Sequence, residues 1–160
     1  MVAYKNFNKV TSDQYRFLDH GIGQFKTEVA VPAGTAAATR FRAFRFDKGF
    51  SLASFETCFT QLDTNSNLTI SVGYVYDAGQ TDDAGVALVD DEDHFVDAVN
   101  SLGRTTGKTS FAYPSNVASQ NVGDTFTAEG AGYIVVEITA GPTTTAGTIK
   151  IDLQYSYNQG

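Results

Sequence analysis

Three segments of this sequence alternate apolar and polar residues, and this alternation constrains the fold more than any other feature. They are LTISVGYVYD at residues 68–77, YIVVEITA at residues 133–140 and GTIKIDLQYSY at residues 147–157. Successive side chains of a β-strand point to opposite faces of a sheet, so such alternation predicts strands with one buried face. In the first segment we expect Ile70 and Val72 to face a core.

The last two segments are separated by the turn-rich sequence AGPTTTAG, and we predict that they form a β-hairpin. Ile134, Val136 and Ile138 share one face of its first strand. In its second strand Ile151 points to the same side as its apolar neighbours, and Lys150 points to the other. The hairpin therefore contributes one apolar face to the core.

Shorter patterns predict further strands. GQFKTEVAV at residues 23–31 alternates strictly, and residues 109–113 and 125–128 are two shorter candidates. The apolar spacing in residues 50–62 suits a short helix as well as a strand, so this segment stays open.

The segment RFRAFRF at residues 40–46 breaks strict alternation. Phe41 lies on one face of an ideal strand, whereas Phe44 and Phe46 lie on the other. A β-bulge inserts one extra residue into a strand and shifts its phase. We therefore predict a bulge near Ala43 that returns all three phenylalanines to the core.

Residues 89–103, VDDEDHFVDAVNSLG, predict the one helix. Asp90 is a suitable N-cap, and the acidic residues after it suit the positive end of the helix dipole. Phe95, Val99 and Leu102 recur at helical spacing before Gly103 ends the segment.

These elements predict an all-β, mainly antiparallel fold, either a β-sandwich or a jelly roll, with one short helix. A chain of 160 residues is long enough for one compact domain with a substantial core. Residues 1–20 show no consistent period, and we interpret them as an extended N-terminal arm or an irregular first strand. Residues 21–160 then form a single domain.

The charge distribution restricts the partners. The net charge is −7; residues 1–80 carry 8 basic and 7 acidic side chains, and residues 81–160 carry 3 basic and 11 acidic ones. An anionic protein repels phosphate backbones and anionic lipid surfaces at long range. We therefore expect no direct nucleic-acid partner and no membrane partner.

The single cysteine and the N-terminal segment bear on the cellular compartment. Cys58 has no intramolecular disulfide partner, and its apolar neighbours predict a small buried side chain. The sequence MVAYKNFNKV lacks the continuous apolar stretch of a secretory signal. We expect a chain that is made and kept in the cytoplasm, or that leaves by another route such as lysis.

No segment predicts a catalytic or cofactor site. His20 and His94 have no nucleophile motif to act on, and Asp77 with Asp152 is a carboxylate pair that no motif supports. The segment DTNSNLTISVGY, which begins at Asp63, resembles a calcium loop only at its first alternate positions, and turn chemistry explains the same residues. We predict a protein that is not an enzyme and has no cofactor.

The densest basic cluster is Arg40, Arg42 and Arg45, interleaved with phenylalanines. Such a cluster can grip nucleic acid by charge and stacking. It can also cover the solvent side of a half-buried strand and pair with the acidic second half. A third interpretation is docking on an acidic protein surface. We favour the second and third together.

The segments DTNSNLTISVGYVYD, DDEDHFVDAV and FTAEGAGYIVVEITAGPTTTAGTIKIDLQY together resemble small structural proteins of tailed bacteriophages, in particular capsid decoration or cement proteins. The resemblance covers roughly residues 60–157. It rests on strand and turn signatures rather than on catalytic motifs.

The resemblance implies a non-enzymatic virion protein that binds the outer surface of the capsid and stabilises contacts between major capsid subunits. It implies a homo-oligomer, a trimer or a dimer, made in the host bacterial cytoplasm and located on the capsid exterior. The arm would order against the capsid. Interface candidates are the aromatic residues of the arm and the basic cluster, namely Tyr4, Phe7, Tyr15, Phe17, Arg40, Arg42 and Arg45.

Two other functions remain open from the sequence. A receptor- or glycan-binding module of a head fibre or tail would use exposed tyrosines such as Tyr155 and Tyr157, and calcium. A minor glycan hydrolase would need two carboxylates that face each other across a cleft.

Overall fold

The computed structural model describes residues 4–6, 15–18, 22–60, 62–64, 68–99, 109–113 and 126–157. These ranges contain ten β-strands and no helix. The strands are β1 (Tyr4–Asn6), β2 (Tyr15–Leu18), β3 (Ile22–Val31), β4 (Thr39–Phe46), β5 (Phe50–Phe59), β6 (Thr69–Tyr76), β7 (Asp91–Val99), β8 (Thr109–Tyr113), β9 (Gly132–Ala140) and β10 (Gly147–Tyr157). The prediction of an all-β fold is confirmed.

The strands form two five-stranded sheets. Sheet 1 has the order β1-β4-β9-β6-β7, and sheet 2 has the order β2-β3-β10-β5-β8. All the paired strands run antiparallel except β1 and β4, which are parallel. This is a β-sandwich, as the sequence predicts.

The core lies between the two sheets and is rich in aromatic rings. Phe44 of sheet 1 contacts Phe25 and Tyr155 of sheet 2, with ring centroids 5.1 Å apart in both pairs. Phe50 and Ile151 of sheet 2 are also buried. Tyr155 therefore belongs to the core.

The predicted bulge in β4 is confirmed. The register between β4 and β9 shifts between Arg42 and Phe44. Phe41, Phe44 and Phe46 are all buried as a result. The shift also keeps the arginines of this strand on the outer face of sheet 1.

The predicted C-terminal hairpin is wrong, although both of its strands exist. β9 pairs with β4 and β6 in sheet 1, whereas β10 pairs with β3 and β5 in sheet 2. The AGPTTTAG connection thus crosses from one sheet to the other. Two strands that each have one apolar face can bury those faces against each other as well as side by side, and alternation does not distinguish the two arrangements.

The predicted helix at residues 89–103 is also wrong where the structure describes it. Residues 91–99 form β7, which pairs with β6 through irregular register. Phe95 is buried in the core, as a strand residue. The carboxylate of Asp90, predicted as a helix cap, does accept a backbone N–H, but the donor is Tyr76 of β6 at 2.8 Å. Pairing with β6 overrides the local helical spacing, since intrinsic propensity is a weak preference.

The N-terminal residues that the structure describes lie at the edges of the sandwich. β1 is the edge strand of sheet 1 and pairs with β4, and β2 is the edge strand of sheet 2 and pairs with β3. The boundary between an arm and a domain stays a prediction.

The turn-rich segments at residues 62–64 and 141–145 contact each other at one end of the sandwich. The buried carboxylate of Asp63 accepts hydrogen bonds from the Leu68 amide at 3.1 Å and the Thr144 hydroxyl at 2.9 Å. The Thr143 hydroxyl, also buried, donates to the carbonyl of Pro32 at 2.8 Å. These polar residues therefore close the turns, as turn chemistry predicts.

Replacing Asp63 with alanine is expected to lower the free energy of unfolding by about 1–3 kcal/mol, because it leaves buried donors without an acceptor. Chemical denaturation monitored by circular dichroism measures the change. Asp63→Asn retains one oxygen acceptor and should lose less. Equal stability of the alanine variant and the wild type would show that this carboxylate is not needed to close the turns.

Candidate docking surfaces

Arg40, Arg42 and Arg45 lie on the outer face of sheet 1. The inward positions of β4 are filled by phenylalanines, so the arginines between them point outward. Arg40 is opposite Glu137 of β9, and Arg45 is opposite Tyr133. The structure thus brings the predicted basic cluster together on one surface.

Arg40 is paired with two carboxylates of the acidic second half. Its Nε donates to Glu137 Oε2 at 2.9 Å, and its NH2 group lies 2.6 Å from Glu92 Oε1. Glu92 is on β7, so the pair links β4 to the edge strand at the far end of sheet 1. Burial raises the pKa of Glu92 above its ordinary value, and Arg40 opposes that rise.

Arg42 and Arg45 both contact the ring of Tyr133. Their guanidinium carbons lie 4.5 Å and 4.9 Å from its centroid, which is cation–π geometry. Arg45 is also 2.7 Å from Asp77 Oδ2. The basic cluster is therefore occupied by partners from its own chain, in agreement with the interpretation of arginines covering a half-buried strand.

The predicted aromatic interface residues are divided between the two sheets. Tyr4 is in β1, in register with Arg40 of β4. Tyr15 and Phe17 are in β2, at the edge of sheet 2. Phe7 lies outside the described residues. Tyr4 is therefore in the same sheet as the arginines, whereas Tyr15 and Phe17 are in the other sheet.

The outer face of sheet 2 is a ladder of opposite charges. Lys26 pairs with Asp152 at 2.6 Å, and Lys150 pairs with Glu28 at 2.9 Å. Cys58 is half-buried on this face, because its neighbours in β5 point into the core. The prediction that Cys58 is a buried side chain is wrong. The residues on either side of it in β5 face the core, and Cys58 therefore faces outward.

Three described loops meet at the end of the sandwich opposite Asp63. They are residues 47–49, 77–90 and 126–131, and we call them together the acidic end. The Asp77 amide donates to the Ala131 carbonyl at 2.9 Å, which joins two of these loops. Together they contain six carboxylates and one lysine. This lysine, Lys48, forms an ion pair with Asp83.

Two valines project from the acidic end. Val86 is 61% exposed and Val89 is 77% exposed, and they are the most exposed large apolar side chains in the described part of the chain. The sequence analysis did not identify them. The signal is the apolar run AGVALV between two pairs of aspartates, which has no strand or helix period to attract attention.

The titratable residues considered for catalysis form ion pairs and ring contacts with neighbouring side chains. His94 Nδ1 lies 2.9 Å from Asp91 Oδ2, and its ring packs against Tyr74 and Phe95. Asp77 and Asp152 are paired with cations on two different sheets rather than with each other. Within the ranges that the structure describes, no three His, Cys, Asp or Glu side chains are grouped to hold a metal ion. His20 lies outside those ranges.

The two tyrosines considered for glycan binding are unequal. Tyr155 is buried in the core, and Tyr157 is 43% exposed. Over the described residues, no helical segment has the length and apolar character of a membrane span.

The fold is similar to that of chains in two phage capsid structures. One is in the capsid of Ralstonia phage GP4, with a TM-score of 0.63, 17% identity and coverage of 99% of this chain and 100% of that chain. The other is in the capsid asymmetric unit of cyanophage Pam1, with a TM-score of 0.59, 17% identity and coverage of 94% and 99%. No protein-family model and no curated protein matches the sequence. At this identity the likeness establishes a shared fold across the whole length of those chains.

Proposed function

We propose that this chain is a non-enzymatic structural protein of a tailed-phage virion that binds the outer surface of the capsid and stabilises contacts between major capsid subunits. The observation that supports it most is the fold likeness to a chain in the Ralstonia phage GP4 capsid, which extends over 99% of this chain and 100% of the other. Fold alone does not determine function, so the role rests on the site as well.

The surfaces of the molecule favour binding over chemistry. The described outer faces of both sheets carry ion pairs within the chain, such as Lys26 with Asp152 and Arg45 with Asp77. On this proposal the chain is a preformed scaffold whose work is done by buried contact area. The buried position of Tyr155 weakens the alternative of a glycan-binding surface built from the C-terminal tyrosines.

The copy number in purified virions tests the proposal. Quantitative mass spectrometry of particles, with the major capsid protein as internal reference, is expected to find hundreds of copies, because a protein that covers the shell repeats with its lattice. Limited proteolysis of intact virions should cleave this chain, since it lies outside. A dozen copies or fewer would indicate a tail or fibre component, and absence from the particle would contradict a virion role.

A further inference from the structure

We propose that the acidic end is the docking surface, and that Val86 and Val89 enter an apolar pocket with a basic rim on a capsid protein. The inference rests on the proposed function and specifies which surface of the chain is used. The expected contact with the capsid is therefore made by the acidic end rather than by the arginines of β4. Three observations carry the argument: exposed valines, an ordered loop and unbalanced carboxylates.

The exposure of the two valines is the first observation. Val86 and Val89 lie three residues apart in one loop, and both have more than half of their surface in contact with solvent. Single exposed apolar residues are common, but two on one short loop together offer apolar surface to a partner, and we call them the apolar tip. Burying such side chains against a partner is a main source of binding free energy.

The loop that carries the valines is held by hydrogen bonds. The carboxylate of Asp82 accepts from the amides of Ala84 at 2.9 Å and Val86 at 2.7 Å. The Leu88 amide donates to the Gln80 carbonyl at 3.1 Å. A tip that is already ordered loses little conformational entropy when it binds, so its apolar contacts are retained as affinity.

The charge around the tip defines the partner. The acidic end has six carboxylates; Lys48 pairs with Asp83 and Arg45 of β4 pairs with Asp77, so four negative charges remain. A partner surface must therefore be basic around the pocket that receives the valines. Nucleic acid and anionic membranes have the wrong sign of charge.

The charges favour a different protein over a second copy of this chain as the occupant. Five of the described lysine and arginine side chains pair with carboxylates of the same chain: Lys26, Arg40, Arg45, Lys48 and Lys150. Arg42 packs on the Tyr133 ring. These six basic side chains are thus already engaged within their own chain, which favours a different protein as the occupant. On this proposal the capsid subunit of the proposed function supplies the basic rim.

The test compares two double variants in binding to particles assembled from the major capsid protein of the same phage without this chain. Val86→Ser with Val89→Ser removes the apolar tip without a change of charge. Ala36→Ser with Ala37→Ser changes two exposed residues at the opposite end and serves as the control. Thermal unfolding of both variants, followed by circular dichroism, should match the wild type.

We expect the valine variant to bind roughly tenfold or more weakly in co-sedimentation, since a tenfold change corresponds to about 1.4 kcal/mol and burial of a valine exceeds that. The control variant, Ala36→Ser with Ala37→Ser, should bind like the wild type. Wild-type binding should also weaken as salt screens the carboxylates.

The outcomes separate the two proposals. Wild-type protein that fails to bind the particles at low salt contradicts the proposed function itself. Wild-type protein that binds, with the valine variant binding equally well, leaves the proposed function standing and overturns the docking surface. Salt-independent binding would likewise contradict a basic rim.

Discussion

Replacing Gly73 with alanine is expected to destabilise the protein by about 3 kcal/mol or more, because the added methyl group overlaps the backbone of the neighbouring strand. A Cβ built on Gly73 would lie closer than 3.0 Å to backbone atoms of Asp91 and Glu92 in β7. Backbone cannot rotate away as a side chain can. β7 must therefore shift from β6 or separate from it.

The close approach at Gly73 arises from the irregular pairing of β6 and β7. Val72 pairs with Val96 and Tyr74 pairs with Asp91, so the few intervening residues of β7 have no regular partner. That segment includes Glu92, which forms an ion pair with Arg40 of β4. A methyl group at Gly73 would thus disturb both the edge of sheet 1 and its ion pair.

Urea denaturation measures the loss, and hydrogen exchange locates it. We expect amides of β6 and β7 to lose protection while those of sheet 2 retain it. Gly34→Ala is the matched control, since Gly34 has a φ of 78° but no atom within 4 Å of an added Cβ. That variant should cost about 1–2 kcal/mol, from backbone conformation alone. A smaller loss at Gly73 than at Gly34 would show that β7 is free to move.

The sequence predicts the strands well because alternation is a local property. The inward set of β3 and the bulge of β4 follow from the order of a few residues, and both are found. The choice of partner strand is not local. β9 and β10 show the same alternation whether they pair with each other or lie in opposite sheets, so the predicted hairpin fails.

The predicted helix fails for a related reason. Phe95 and Val99 are spaced to suit one face of a helix, and the same spacing fits an irregular strand in which one of them reaches the core. Asp90 and the residues that follow look like a helix N-terminus. Their partners are instead the Tyr76 amide and Arg40, both distant in sequence. Only the position of β6 determines whether this segment forms a helix or a strand.

The candidate site divides in the same way. That the arginines of β4 share a face follows from the phase of the strand, but their ion pairs with Glu92 and Asp77 depend on β6 and β7. The apolar tip at Val86 and Val89 has no periodic signal. Its exposure is set by how three loops meet, which no local pattern reports.

Replacing Ile151 with alanine is expected to cost about 2–5 kcal/mol in the free energy of unfolding. Alternation alone places Ile151 on the inward face of β10, and the structure confirms that it is 2% exposed. Its strand lies at the centre of sheet 2, between β3 and β5, so the surrounding residues have little freedom to fill the cavity. The cost should therefore lie toward the upper part of that range.

Ser156→Ala on the same strand is the control, since this side chain lies on the other face and is half-exposed. Substitutions of this kind change stability by no more than about 0.5 kcal/mol. Guanidinium denaturation of both variants gives the difference directly. A loss at Ile151 as small as that at Ser156 would mean that β10 faces the other way, and that the core is built on the opposite phase. A large loss at Ile151 alone would establish that Ile151 faces the core, and therefore that its neighbours Lys150 and Asp152 face outward.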